Sequence, residues 1–254
     1  MIKFLNIIII RSFQLKIEYL KMKNSAIINK KKVNGFVNEE ELLLLLDKYS
    51  GLLIALGIEK ILIDDENFEK IINSNLTYPD GIGAVYALKR KGIHSIKIPG
   101  AKLWLKIIRR YYLNKKIFLL GSKKEVINSV IQKLKYEYKG INIVGFHHGY
   151  FEKEEIILES IYKLKPDLIF VALGSPKQEI FMDKAHRNYK AIYMGLGGSF
   201  DLYIGKTKDV PEWWKKYFKW EGLFRLIYDI GNIKRWKRQL IFFHFIRAVF
   251  LKKI

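Results

Sequence analysis

From residue 52 to residue 194, short, mostly apolar runs alternate with longer amphipathic stretches, and few folds accept that pattern. The runs are Leu52–Leu56, Leu76–Tyr78, Ile117–Leu120, Ile141–Val144, Leu168–Leu173 and Ile192–Met194. Helix-like segments lie between them, near 82–91, 101–113, 123–138, 153–164 and 177–187. A strand apolar on consecutive positions must be buried on both faces, which is the condition of a parallel sheet covered by helices. The expected fold is therefore α/β, a doubly wound, mainly parallel Rossmann-like sheet. Upstream, Asn38 is placed to cap a helix running through Glu39, Glu40 and Glu41 into Leu42–Leu46, with acids at the positive end of the dipole. Asp64-Asp65-Glu66 reads as a second helix start.

Charge divides the chain. The formal net charge is +21 over 254 residues, without a single cysteine, so disulfides and thiolate metal sites are excluded. Residues 206–254 carry 13 Lys/Arg against Asp209, Glu212, Glu221 and Asp229, a positive density about three times that of the first 205 residues. Three regions are expected: an N-terminal extension (1–32, with Met22 an alternative start), an α/β catalytic domain (33–205), and a helical, basic, aromatic C-terminal appendage (206–254). In the appendage, Leu240 to Leu251 is too hydrophobic for a solvated nucleic-acid helix and shorter than the roughly 20 residues of a membrane span. With Trp236 and several Phe beside Lys and Arg, residues 236–254 suit a lipid headgroup layer, so the expected partner is a membrane surface and no nucleic acid. Core packing is the competing reading, above all for Leu223–Tyr228.

In an open α/β sheet, ligands bind beyond the carboxyl ends of the strands, where glycines let backbone approach phosphates. Four apolar runs end in such signals: Pro79-Asp80-Gly81-Ile82-Gly83, Gly121-Ser122, Gly174-Ser175-Pro176-Lys177-Gln178-Glu179, and Gly195-Leu196-Gly197-Gly198-Ser199-Phe200-Asp201. Each alone reads as a turn. Together they outline a polar crevice lined by Gly81, Gly83, Gly121, Gly174, Ser175, Lys177, Gly197, Gly198 and Asp201. None is a Walker A loop or a complete dinucleotide fingerprint. Asp80 is placed either to act as a general base on a hydroxyl or to cap the helix beginning near Ile82. The five histidines form no metal-like set. His147 and His148, adjacent in a strand, are expected to face opposite sides. No metal ligands and no cofactor are expected.

These motifs, with Pro211-Glu212-Trp213-Trp214 and Leu223-Phe224-Arg225-Leu226, give the chain its resemblance to the WecG/TagA/CpsF family, glycosyltransferase family 26, from about Val33 to about Arg238. The resemblance implies an inverting, metal-independent transfer of an N-acetylmannosamine-type sugar. The donor would be a UDP-sugar and the acceptor an undecaprenyl-diphosphate-linked N-acetylglucosamine, at the cytoplasmic face of the membrane, for cell-surface polysaccharide or teichoic acid. It implies Asp80 as general base, Gln178 as the site glutamine, and Arg225 and Arg235 as holders of a diphosphate, a task suited to the planar guanidinium fork. Three positions depart from the family pattern. Ala55-Leu56-Gly57 stands for Thr-x-Asn, Lys97 for an arginine, and Asn232 for another arginine. A same-family transferase of glucose or another hexose competes with this reading, as does a basic nucleic-acid-binding or non-catalytic assembly protein. The sequence leaves the oligomeric state open, a homo-oligomer included.

Overall fold

The structure is a computed structural model that describes residues 24–207, 210, 211, 214, 224 and 233–251. Its centre is a sheet of six strands: β3 (Gly51–Leu56), β4 (Leu76–Pro79), β5 (Ile117–Gly121), β6 (Ile143–His147), β7 (Leu168–Ala172) and β8 (Ile192–Gly195). Their order is β4-β3-β8-β7-β5-β6, and every pairing is parallel. From β3 the chain moves outward to β4 and then crosses to β5 and β6. It returns through β7 to β8, so both halves wind away from the middle of the sheet. This is the doubly wound α/β fold that the consecutive apolar runs demand.

The reason is visible strand by strand. On β5, Ile117 and Leu119 enter one core while Phe118 and Leu120 enter the other; on β7, Leu168 and Phe170 oppose Ile169 and Val171. One face is covered by α1 (Glu39–Leu46), α5 (Gly100–Tyr111), α6 (Lys124–Glu137) and α9 (Ser199–Tyr203). The other is covered by α2 (Ile58–Ile61), α3 (Glu66–Asn73), α4 (Ile82–Arg90), α7 (Glu154–Leu164), α8 (Lys177–Asn188) and α10 (Ile233–Phe250). Both expected caps form: Asn38 accepts from the Glu41 amide at 2.8 Å, and Asp65 from the Phe68 amide at 2.7 Å.

Two features differ from expectation. The folded body starts before residue 33, because β1 (Ser25–Ile28) and β2 (Lys31–Asn34) form an antiparallel hairpin whose Ile28 and Val33 are fully buried. The hairpin covers the β4 edge of the sheet, where Asn34 and Thr77 exchange hydrogen bonds, removing an exposed row of backbone groups. The rest of the N-terminal extension, residues 1–23, lies outside the described residues. The second difference is in the C-terminal stretch assigned to lipid. Phe245 and Val249 of α10 are buried in the core, and Phe242 lies over α4. One side of α10 is thus packed on protein, while Leu240, Phe243, Phe250 and Leu251 remain exposed on its other sides. No helix among the described residues is long and apolar enough to cross a membrane.

Candidate functional site

In a parallel sheet all carboxyl ends lie along one edge, so the four glycine signals and Asp80 are brought to that edge together. Reading across it gives Asp80 after β4, Gly57 after β3, Gly197 after β8, Gly174 after β7, Gly121 at the end of β5 and His148 after β6. Strand spacing sets the span from the Asp80 turn to the Gly121 turn at roughly 19 Å.

Asp80 is exposed and held from two sides. Its backbone amide donates to the Leu56 carbonyl at 3.0 Å, and its Oδ1 accepts from the Gly100 amide at 3.1 Å. The carboxylate therefore caps α5, a helix 20 residues further along, rather than α4, which starts beside it. Gly81, at φ 152°, makes the turn into α4 in a region L-residues rarely adopt. Gly57 stands beside the Asp80 backbone, and Ala55 and Tyr78 stand beside Gly100, which holds the carboxylate. A Cβ on Gly57 would lie 3.5 Å from the Asp80 carbonyl oxygen, and one on Gly100 would lie 2.8 Å from the Tyr78 hydroxyl. Two of the positions that depart from the family pattern, Ala55 and Gly57, are thus in the immediate surroundings of Asp80. The Tyr78 hydroxyl is fully buried and has no hydrogen-bond partner among the described residues. Burial, and then the charges of Asp80 and Glu179, hold its phenol well above the ordinary range, so it remains an O–H donor.

The middle of the edge is built of bare backbone. Gly174 (φ 78°), Gly197 (φ 54°) and Gly198 have nothing within 4 Å of where a Cβ would stand, so a ligand can come directly against the main chain. Ser175 and Lys177 are exposed beside them, and the Lys177 ammonium lies 5.3 Å from the Phe151 ring centroid. Gly121 serves a different purpose: a Cβ there would meet the Ala172 carbonyl oxygen at 2.3 Å, so the residue lets β5 and β7 run close where the winding reverses. Ser122 follows with φ 57°; its Oγ donates to Asp201 Oδ2 at 3.2 Å and ties the β5 turn to α9.

Several expected site residues take other roles. Gly83 is buried in α4, where a Cβ would stand 2.1 Å from Ile58 and 3.7 Å from Phe242, so its place is in helix packing. Gln178 is buried, with both ends of its amide engaged by protein. Lys97 is half-buried in the extended segment between α4 and α5, one residue before Ile98, whose amide donates to Pro79 at 2.9 Å. Arg225 and Asn232 lie outside the described residues; the backbone at Arg235 is helical. His147 and His148 do not face opposite sides. The strand ends at His147, the rings stack tilted at 4.4 Å, and His147 Nδ1 donates to the His148 carbonyl at 2.8 Å. No group of three or more His, Asp or Glu side chains among the described residues is placed to hold a metal ion. Sequence reasoning missed Lys60 entirely. It donates to the buried Glu179 at 2.6 Å across 119 residues, and no spacing signal marks such a pair.

Comparison with known proteins gives two findings. Residues 37–254 match the profile of the glycosyl transferase WecG/TagA/CpsF family. Over 181 residues the chain is 38% identical to the N-acetylglucosaminyldiphosphoundecaprenol N-acetyl-beta-D-mannosaminyltransferase of Bacillus subtilis (strain 168). That alignment covers 70% of this chain and 69% of the relative.

Proposed function

The chain belongs to the glycosyl transferase WecG/TagA/CpsF family, and on that premise we propose that it transfers N-acetylmannosamine from UDP to a polyprenyl-diphosphate-linked N-acetylglucosamine. The Bacillus subtilis relative carries such an acceptor and such a sugar in its name, which supports both choices. The observation that carries the reading is Asp80, an exposed carboxylate whose Oδ1 is fixed by the Gly100 amide, at one end of an edge whose middle is glycine backbone.

The chemistry follows from that layout. The donor lies along the strand ends with its diphosphate against the Gly174 and Gly197–Gly198 turns, where backbone amides and Lys177 meet its charge. The sugar points toward Asp80. Asp80 takes the proton from the acceptor hydroxyl as that oxygen attacks the anomeric carbon; the bond to the diphosphate breaks on the opposite face, and UDP leaves with inverted configuration at the sugar. Cationic side chains stabilise the leaving diphosphate in place of a metal: Lys177 at the edge, with Arg225 and Arg235 of the C-terminal segment. Under this proposal EDTA leaves the rate unchanged, and UDP-N-acetylmannosamine outcompetes UDP-glucose as donor. A rate abolished by EDTA and restored by a divalent cation would refute the metal-independent chemistry. Preference for UDP-glucose would transfer the assignment to a hexose donor.

A lipid-linked acceptor supports a working position at a membrane surface. The exposed Leu240, Phe243, Phe250 and Leu251, with basic residues on the same helix, suit an interfacial docking face at the cytoplasmic leaflet. The chain should float with anionic liposomes, and Phe243→Ser with Phe250→Ser should leave it in the pellet fraction. Flotation by the double variant equal to wild type would remove α10 from this role.

A further inference from the structure

Behind the Gly197–Gly198 turn runs a series of side chains that the transfer chemistry does not use. Lys60, on α2, donates from Nζ to Glu179 Oε1 at 2.6 Å, and the same oxygen accepts from Gln178 Nε2 at 2.9 Å. At its other end the Gln178 amide accepts, through Oε1, from the Gly197 N–H at 3.0 Å. Glu179 is 0% exposed and Gln178 1%. Gly195 makes the room: a Cβ there would stand 2.5 Å from Gln178 Nε2 and evict the amide.

A side-chain amide has two ends of nearly the same shape and opposite polarity, so its direction must be imposed by its neighbours. An ionised carboxylate is acceptor-only. Glu179 therefore selects the orientation in which the NH2 faces it and the carbonyl faces Gly197. A carboxylate this deeply buried needs a charge partner, and Lys60 is that partner. A buried ion pair adds little stability over an apolar pair of the same volume, so stability alone does not account for placing one here. Orientation does.

We infer that Lys60 and Glu179 are positioning residues. Their ion pair, with Glu179 fully buried and Lys60 partly so, sets the direction of the Gln178 amide, which holds the Gly197–Gly198 turn in the shape that receives the donor diphosphate. The last clause rests on the proposed transferase reading; the first does not. Gln178 then acts on the sugar donor through this turn and not by its own reach.

The test compares two double variants of the full chain. Lys60→Met/Glu179→Leu removes both charges and the acceptor. Lys60→Met/Glu179→Gln removes the charges and keeps an acceptor for Gln178. Hydrogen exchange at the Gly197 amide reads the turn directly; kcat/KM for the UDP-sugar reads its use. In the Met/Leu variant the melting temperature is expected to hold, while Gly197 protection and kcat/KM each fall about tenfold, the loss of one oriented hydrogen bond. In the Met/Gln variant, whose amide carbonyl can still accept from Gln178 but does not exclude the flipped arrangement, both losses are smaller than in Met/Leu. Gly195→Ala, which displaces the same amide sterically, reproduces both losses. Unchanged Gly197 protection in the Met/Leu and Gly195→Ala variants overturns the inference, as does a Met/Gln variant that falls as far as Met/Leu. Lost protection with unchanged kcat/KM overturns the link to transfer. If the wild type transfers from no UDP-sugar at all, the transferase reading fails, and the exchange data still decide whether the pair sets the turn.

Discussion

Asp80→Asn is expected to lower kcat by about 10²–10⁴-fold, the usual worth of a positioned general base. The substitution keeps the size of the side chain, and its amide oxygen can still accept from Gly100 at the start of α5. The residue is exposed, so the fold and the melting temperature should hold. Donor KM should change little, because an amide in that place still contacts the sugar but cannot take a proton. The other reading of Asp80, a helix cap alone, predicts the reverse: a small stability change and nearly full turnover. More than a tenth of the wild-type kcat in the folded variant would remove Asp80 from the chemistry.

Gly121→Ala is expected to cause the largest loss of stability of any single methyl group added at the edge. Two separate costs combine. The residue has φ 128°, which a side chain tolerates only with strain of about 1–3 kcal/mol. Its new Cβ would also stand 2.3 Å from the Ala172 carbonyl oxygen, and backbone cannot swing aside as a side chain can. Overpacking of this kind costs about another 1–3 kcal/mol. β5 and β7 must separate where the winding reverses, and Ser122, whose amide donates to that same carbonyl at 3.1 Å, moves with them. Denaturant unfolding should show a lower midpoint at unchanged slope, with activity lost in parallel. A midpoint within error of wild type would show that the β5–β7 approach is looser than the geometry requires.

The fold was legible because burial on both faces leaves a direct mark: β3, β5, β7 and β8 are apolar at consecutive positions, and their neighbours in the chain are amphipathic. Where burial is one-sided or polar, that mark fades. The edge strand β6 was expected at Ile141–Val144 and lies at Ile143–His147, since its half-exposed residues give no unbroken run. The β1–β2 hairpin was hidden by Lys31, a lysine that reads as solvent-facing. Its side chain is fully buried, with Nζ donating to the Ile63 carbonyl at 2.6 Å. The candidate site followed the same logic. Glycines at strand ends are local signals, and a parallel sheet carries them all to one edge. Interactions between distant segments have no such signal: the Gly100 amide on Asp80, Ser122 on Asp201 and Lys60 on Glu179 come together through the fold alone. Gly83 shows the converse, a residue inside a motif whose missing side chain serves packing against Ile58 and Phe242.

The α10 helix asks for a similar division. Its aromatic later part was expected at lipid, yet Phe245 and Val249 complete the core over α2 and α4. The helix is anchored to protein before it can meet a membrane, and Phe242 over Gly83 brings that anchor near the start of α4, next to Asp80.

The most direct measurement of the central claim is the product formed by the full chain from UDP-N-acetylmannosamine and a polyprenyl-diphosphate-linked N-acetylglucosamine, read by mass and by the anomeric configuration of the new bond. The account predicts the gain of one N-acetylhexosamine, with the configuration at the transferred sugar inverted relative to the donor. No gain in mass from any UDP-sugar, or a product that retains the donor's configuration, would contradict it.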